Sequence, residues 1–265
     1  MKLQVLLSAM FLEDYHYIDQ LKITSDVVVI NQCDIEAIET IEENGKKVEF
    51  ISTKDRGLSR SRNMAISHAS AEVCILCDND VEYVEGYEEL IIQAFSDNPD
   101  ADIIIFYIKR PERQKSVFSK PTKMNYLTVM KIFSPEIAFR KEKIKHLHFH
   151  ESFGAGAKYS MGEENIFLYD ALRCGLNVLY VPIQIATLLD TESTWFQGYT
   201  DKFFLDRGAN YYAMTKKFYW FLILQFAFRK RKIYKKDNHF LHAIQLMFQG
   251  KREFAAYENI SNRRL

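Results

Sequence analysis

Short apolar runs alternate with amphipathic stretches through the first hundred residues, and this alternation constrains the fold most. Leu3–Leu7, Asp26–Ile30, Val48–Ser52, Glu72–Cys77 and Asp102–Ile108 have the length and composition of buried strands. Ile35–Asn44, Leu58–Ala69 and Glu85–Phe95 lie between them and read as helices. Such interleaving predicts βαβ units, and so an α/β chain with a Rossmann-like, mostly parallel sheet flanked by helices. Ligands of such sheets bind at the carboxyl ends of the strands, so functional residues should follow strands. After residue 108 the pattern loosens. Arg110–Lys123 reads as a polar loop with two of the five prolines. Leu147–Phe153 reads as a strand leading into Gly154-Ala155-Gly156-Ala157, Glu163–Arg173 as a helix stopped by Gly175, and Val178–Val181 as a strand before Pro182.

The 265 residues balance 35 Lys+Arg against 35 Asp+Glu. That zero hides a split: residues 1–105 carry 21 acidic and 8 basic groups, and residues 106–265 carry 14 and 27. Halves of such opposite sign suit different jobs, the acidic one a metal and the basic one phosphates or an anionic membrane surface. Four cysteines are too few for a disulfide scaffold. Cys74 and Cys77 fall three apart on a strand, face opposite ways and cannot readily share a zinc, so they read as buried thiols of a reduced, cytoplasmic protein. Met1–Leu12 has one Lys, no small-residue cleavage site, and Glu13-Asp14 directly after, so it reads as a first strand rather than a secretion signal.

The tail has its own character. Phe218–Phe228 holds one polar residue in eleven, and six bases follow within Arg229–Lys236. As a helix the apolar run reaches about 16 Å, too short for the ~30 Å of a bilayer's hydrocarbon. Two readings stand side by side: an interfacial helix on an anionic leaflet, or a buried helix with cations at its C-terminus. A nucleic-acid arm is disfavoured by the acidity of the first half.

Three motifs carry chemistry. Asp78-Asn79-Asp80 follows a strand directly, where two carboxylates can hold one hard cation and leave room for phosphate oxygens. Asp100-Ala101-Asp102 has the same spacing but precedes its strand. Leu58, Arg62, Ala65 and Ala69 share one helical stripe, so Arg62 interrupts an inward face and needs an anionic partner, a nucleotide or an inward Asp. Glu163 and Glu164 open a helix whose dipole favours an ionised carboxylate, as a general base requires. Phe167, Leu168, Ala171 and Leu172 put Glu164 on the apolar face. His146, His148 and His150 alternate, a polar strand face or a metal-ligand set.

In this order, these stretches resemble the inverting family-2 glycosyltransferases of the GT-A fold, bacterial surface-polysaccharide type. The match runs over about residues 1–210: a strand ending near Ser8, a second ending at Asn31–Asp34, the Gly57–Ile66 block, Asp78-Asn79-Asp80, and Gly154–Ala157 with Gly162-Glu163-Glu164. Glu192-Ser193-Thr194-Trp195 also looks like a segment of bacterial polysaccharide members. The resemblance implies a GT-A domain over 1–215, with a nucleotide-sugar half (1–108) and an acceptor half (109–215), and a C-terminal helical, basic and aromatic extension over 216–265. It implies sugar transfer with inversion from a nucleotide-sugar, a UDP-sugar first, to a saccharide or lipid-linked acceptor, with Mn²⁺ or Mg²⁺ on the diphosphate. By position, Asp80 would ligate the metal, with Asp78 on ribose or metal-bound water, and His150 is a further candidate ligand. Asp34 or Gln32 would read the base, with Ser8, Arg62 and Asn79 nearby. Glu164 would deprotonate the acceptor hydroxyl. The family usually has Glu-Asp where this chain has Glu163-Glu164, so either Glu can fill that role. An aromatic residue often stands where this chain has Met10. The rival readings are a non-catalytic nucleotide-sugar or glycan-binding module, and a nucleotidyltransferase, whose glycine-rich N-terminal loop is missing because no Gly precedes Gly45. On the interfacial reading, the tail's partner is an anionic membrane surface, at the inner face of the membrane, and on either reading no nucleic acid is expected.

Overall fold

A computed structural model describes residues 1–111, 114–189, 196 and 198–261. In chain order the elements are β1 (Leu3–Met10), α1 (Tyr17–Gln20), β2 (Asp26–Gln32), β3 (Ala37–Glu43), β4 (Lys46–Thr53), α2 (Leu58–His68), β5 (Val73–Asp78), β6 (Val81–Tyr83), α3 (Tyr87–Asp97), β7 (Ile103–Lys109), β8 (Thr122–Lys123), β9 (Ile137–Arg140), α4 (Glu163–Arg173), β10 (Val178–Leu188), α5 (Asp201–Met214), α6 (Tyr219–Tyr234) and α7 (Phe240–Ser261). The sheet order is β3-β4-β2-β1-β5-β9-β7-β10-β6, with β8 paired to β10. Strands β4, β2, β1, β5, β7 and β10 run in one direction, and the short antiparallel β9 sits between β5 and β7. Val5, Leu7, Val27 and Val29 face one layer with Ile91 and Phe95 of α3. Leu6, Val28 and Ile30 face the other, with α2 and helices α4 to α7.

Three segments depart from the sequence reading. Ile35–Asn44 is not a helix: it holds the edge strand β3, antiparallel to β4. Asn44 and Gly45 both have positive φ, 53° and 79°, which is the two-residue hairpin turn that Asn-Gly favours. Glu42 and Glu43 then lie opposite Lys47 and Lys46, a favourable cross-strand charge pattern. Leu147–Phe153 is not a strand. Its backbone is held by a side chain instead: the Asn63 amide donates to the Phe149 carbonyl at 2.9 Å and accepts from the Phe149 amide at 2.8 Å. His146, His148 and His150 therefore share no strand face. Third, β10 runs past Pro182 to Leu188, with irregular register around Tyr180–Gln184, where proline can donate no ladder bond.

The thiols of Cys74 and Cys77 are buried, and burial pushes the Cys74 thiol up to about 12. Cys174 is exposed.

Helices α5 and α7 cross at glycines. A Cβ on Gly208 would lie 1.8 Å from the Met247 carbonyl oxygen, and one on Gly250 1.9 Å from that of Leu205. Both obstacles are backbone, so no side chain can step aside. Gly208→Ala should therefore cost about 3 kcal/mol or more, the upper range for overpacking. A denaturation midpoint unchanged from wild type would show that the crossing is looser than this geometry.

Candidate functional site

The carboxyl ends of the central strands form one wall of a cavity of about 430 Å³. Register assembles it: Ser8 of β1 lies opposite Asp78 of β5, and Met10 opposite Gln32 of β2. The Ser61 hydroxyl bonds the Ser8 hydroxyl at 2.9 Å, and the Gln32 side-chain oxygen accepts the Gly57 amide at 2.8 Å. Gly57 has φ +116° and lies against Gly156, so the loop Gly154–Ala157 closes on the start of α2. Leu58 donates its amide to the Ala155 carbonyl, and the Ser59 hydroxyl donates to the Phe153 carbonyl.

Arg62 is 1% exposed and joins the two acidic motifs. Its guanidinium bonds Asp78 at 2.8 and 3.2 Å and Glu163 at 2.8 Å. Burial alone would make the cation easier to lose, but the two carboxylates more than offset this and its pKa is raised. The anionic partner expected from the helical stripe is thus a pair of carboxylates from β5 and α4.

Glu163 and Glu164 differ in their surroundings although they adjoin. Glu163 is buried and held by Arg62, whereas Glu164 is half-buried, lines the cavity and accepts the Asn165 amide at 3.0 Å. Burial first, and the Glu163 charge second, push the Glu164 carboxyl up to about 8, against the opposing pull of its own backbone amide, Arg62 and Arg207. A base with such a pKa works near neutral pH.

Of the candidate residues, Ser8, Gln32, Arg62, Asp78, Asn79, Asp80, Glu163 and Glu164 all line this cavity. Asp34 does not: its side chain is 85% exposed and pairs with Arg56, which does line it. His150 does not either. Its ring packs edge-on against Phe153 and Phe254, 5.1 and 5.5 Å away, and burial lowers its pKa. Glu192-Ser193-Thr194-Trp195 lies outside the described residues.

Two further groups complete the wall. Arg207 comes from α5, stacked among the rings of Phe203, Phe226 and Tyr211 at 5.2, 5.6 and 5.8 Å. Its neighbours tie α5 to the Glu163 loop: Asp206 accepts the Ser160 amide and hydroxyl, and the Asn210 amide donates to the Gly162 carbonyl. Phe133 and Ser134, in a short turn, also line the cavity. Neither group carries a sequence signal. Arg207 is one arginine among many in a basic half, and only the packing of α5 aims it at the cavity.

Among the described residues, no three His, Cys, Asp or Glu side chains converge as a closed metal site. A hard cation of the Mg²⁺ type needs only one or two carboxylates when substrate phosphates supply other ligands. Asp78 and Asp80 meet that requirement, with Asp78 already shared with Arg62.

No curated protein sequence matches the chain. Solved structures do match in fold. The S. aureus TarS 1-349 structure in complex with UDP has a TM-score of 0.61 at 15% identity, covering 94% of this chain and 81% of that one. The same fragment in complex with UDP-GlcNAc has a TM-score of 0.60 at 16% identity, covering 96% and 72%. A longer TarS structure has a TM-score of 0.57 at 15% identity over 80% of this chain, and this chain spans only 39% of it. The family model described as glycosyl transferase family 2 matches residues 18–163. That stretch is more than half of the chain and runs from α1 to the first residue of α4, through both Asp78 and Arg62, and the chain therefore belongs to this family of glycosyltransferases.

Proposed function

We propose that the protein transfers a sugar from a nucleotide-sugar donor, a UDP-sugar first, to a hydroxyl of a saccharide or lipid-linked saccharide acceptor, with inversion. The observation that carries this reading is one cavity lined both by Asp78 and Asp80 at a strand end and by Glu164 at a helix start. The crystal structures of TarS with UDP and with UDP-GlcNAc support the donor class. Asp80, with Asp78, would hold Mn²⁺ or Mg²⁺, whose charge would offset that of the departing diphosphate. Glu164 takes the acceptor proton as the acceptor oxygen bonds to the anomeric carbon. The bond from that carbon to the phosphate oxygen breaks, and the nucleoside diphosphate leaves with its electron pair. Arg62 bonds both Glu163 and Asp78, and Glu164, beside them in the cavity, is the carboxylate that acts. A lipid-linked acceptor would bring the enzyme to the inner face of a membrane.

Nucleotide release from UDP-, GDP- and TDP-sugars, with Mn²⁺ and with EDTA, tests the reading. Metal-dependent release from one donor, lost in Asp80→Ala, is the expected result. No release from any donor, together with no nucleotide binding by calorimetry, would sink it.

A further inference from the structure

We propose that the outer face of α6 is a docking surface for an anionic lipid bilayer. The proposal deepens the lipid-linked acceptor reading and rests on it for its purpose.

Helix α6 is apolar on two sides. Leu222, Ile223, Phe226, Ala227 and Tyr234 are buried against the core. Trp220, Phe221 and Phe228 point the other way and are 46%, 48% and 65% exposed. At ~100° per residue, these three fall together with the half-buried Leu224 on the side away from the core. Water-exposed aromatic clusters of this kind mark interaction sites.

The charge around the cluster selects the partner. Residues 216–236 hold eight Lys and Arg and no Asp or Glu. Six of the eight, Arg229–Lys232, Lys235 and Lys236, follow the aromatic cluster and are exposed. Among the described residues none of these six pairs with a carboxylate. A second copy of the chain docked face to face would bring these cations together. An anionic leaflet matches both features: cations at the headgroups and aromatic rings at the acyl boundary. Among the described residues no helix is long and apolar enough to cross a membrane, so α6 would lie on the surface. The inner face of α6 packs behind the cavity wall: Phe226 belongs to the ring cluster around Arg207, which lines the cavity. One helix diameter, about 10–12 Å, thus separates the docking face from the aromatic cage behind the cavity wall.

The full chain would be sedimented with vesicles of phosphatidylcholine alone and of phosphatidylcholine with phosphatidylserine. Two variants would run beside it: Phe221→Ser with Phe228→Ser, and Lys230→Gln with Lys232→Gln and Lys235→Gln. All five positions are exposed, so both variants should fold. Capture only by the anionic vesicles at low salt is expected, weakened at least tenfold by the aromatic pair and on the order of a hundredfold by the lysine triple. No capture by anionic vesicles at low salt, or undiminished capture of both variants, would overturn the proposal, as would tighter binding to duplex DNA than to vesicles. Donor binding by calorimetry is measured on the same samples. Vesicle capture without donor binding would count against the glycosyltransferase mechanism and leave the docking surface standing.

Discussion

Glu164→Gln is expected to lower sugar transfer by about 10²–10⁴-fold, the range for losing a positioned general base, while donor binding persists. The substitution keeps shape and removes only the ability to take a proton. The pH profile gives the second readout. The Glu164 carboxyl is raised to about 8 by burial and by the Glu163 charge, and only its deprotonated form can accept the acceptor proton. Wild-type transfer should therefore climb as pH rises through this region, level off above it, and fall away on the acid side. The Gln variant should lack that limb. A variant with the same acid limb and near-normal transfer would move the base to Glu163 or elsewhere.

Arg62→Met should cost about 3–5 kcal/mol of stability, the range for removing one partner of a buried ion pair. Against a typical total of about 5–15 kcal/mol, that is enough to unfold a marginal protein. The loss comes from the stranded charges: the Glu163 side chain is 7% exposed and that of Asp78 20%, and both lose the cation they share. Adding Glu163→Gln should restore part of the lost stability, because one uncompensated charge is then gone. Denaturant midpoints of the single and double variants measure this. A double variant no more stable than Arg62→Met would show that packing lost around the guanidinium, including its contact with the Phe149 ring, dominates over charge.

The chain's central strands are legible because each is a short run of buried, mostly apolar residues whose pattern needs no partner to be recognised. Arg62 is legible for a related reason: a guanidinium on an apolar stripe demands a counter-charge wherever the stripe packs. The edge strand β3 was not. Its pattern, Ala37-Ile38-Glu39-Thr40-Ile41-Glu42-Glu43, fits a helix as well as a strand, and an exposed edge buries too little to decide between them. The deciding signal is Asn44-Gly45, which closes a hairpin. Leu147–Phe153 misleads in the opposite sense. Its alternating aromatics are buried, with Phe149 stacked on Phe167 at 4.4 Å, but the bonds that hold its backbone come from Asn63, more than eighty residues earlier.

The acidic motifs at the strand end and the helix start can be found by inspection because strand ends and helix starts are local events, set by a few neighbouring residues. The different surroundings of Glu163 and Glu164 are not local. They follow from where Arg62 lands, and Arg62 can satisfy only the carboxylates of β5 and α4 that the packing of α2 on β1 and β2 brings within its reach. Arg207 depends on packing still more: α5 is held by glycine contacts with α7 and by Asn210 at Gly162. These contacts join residues far apart in the chain at separations of a few ångströms. Periodicity along the sequence reports which face of an element is buried, whereas the identity of its neighbour is decided only when the elements meet.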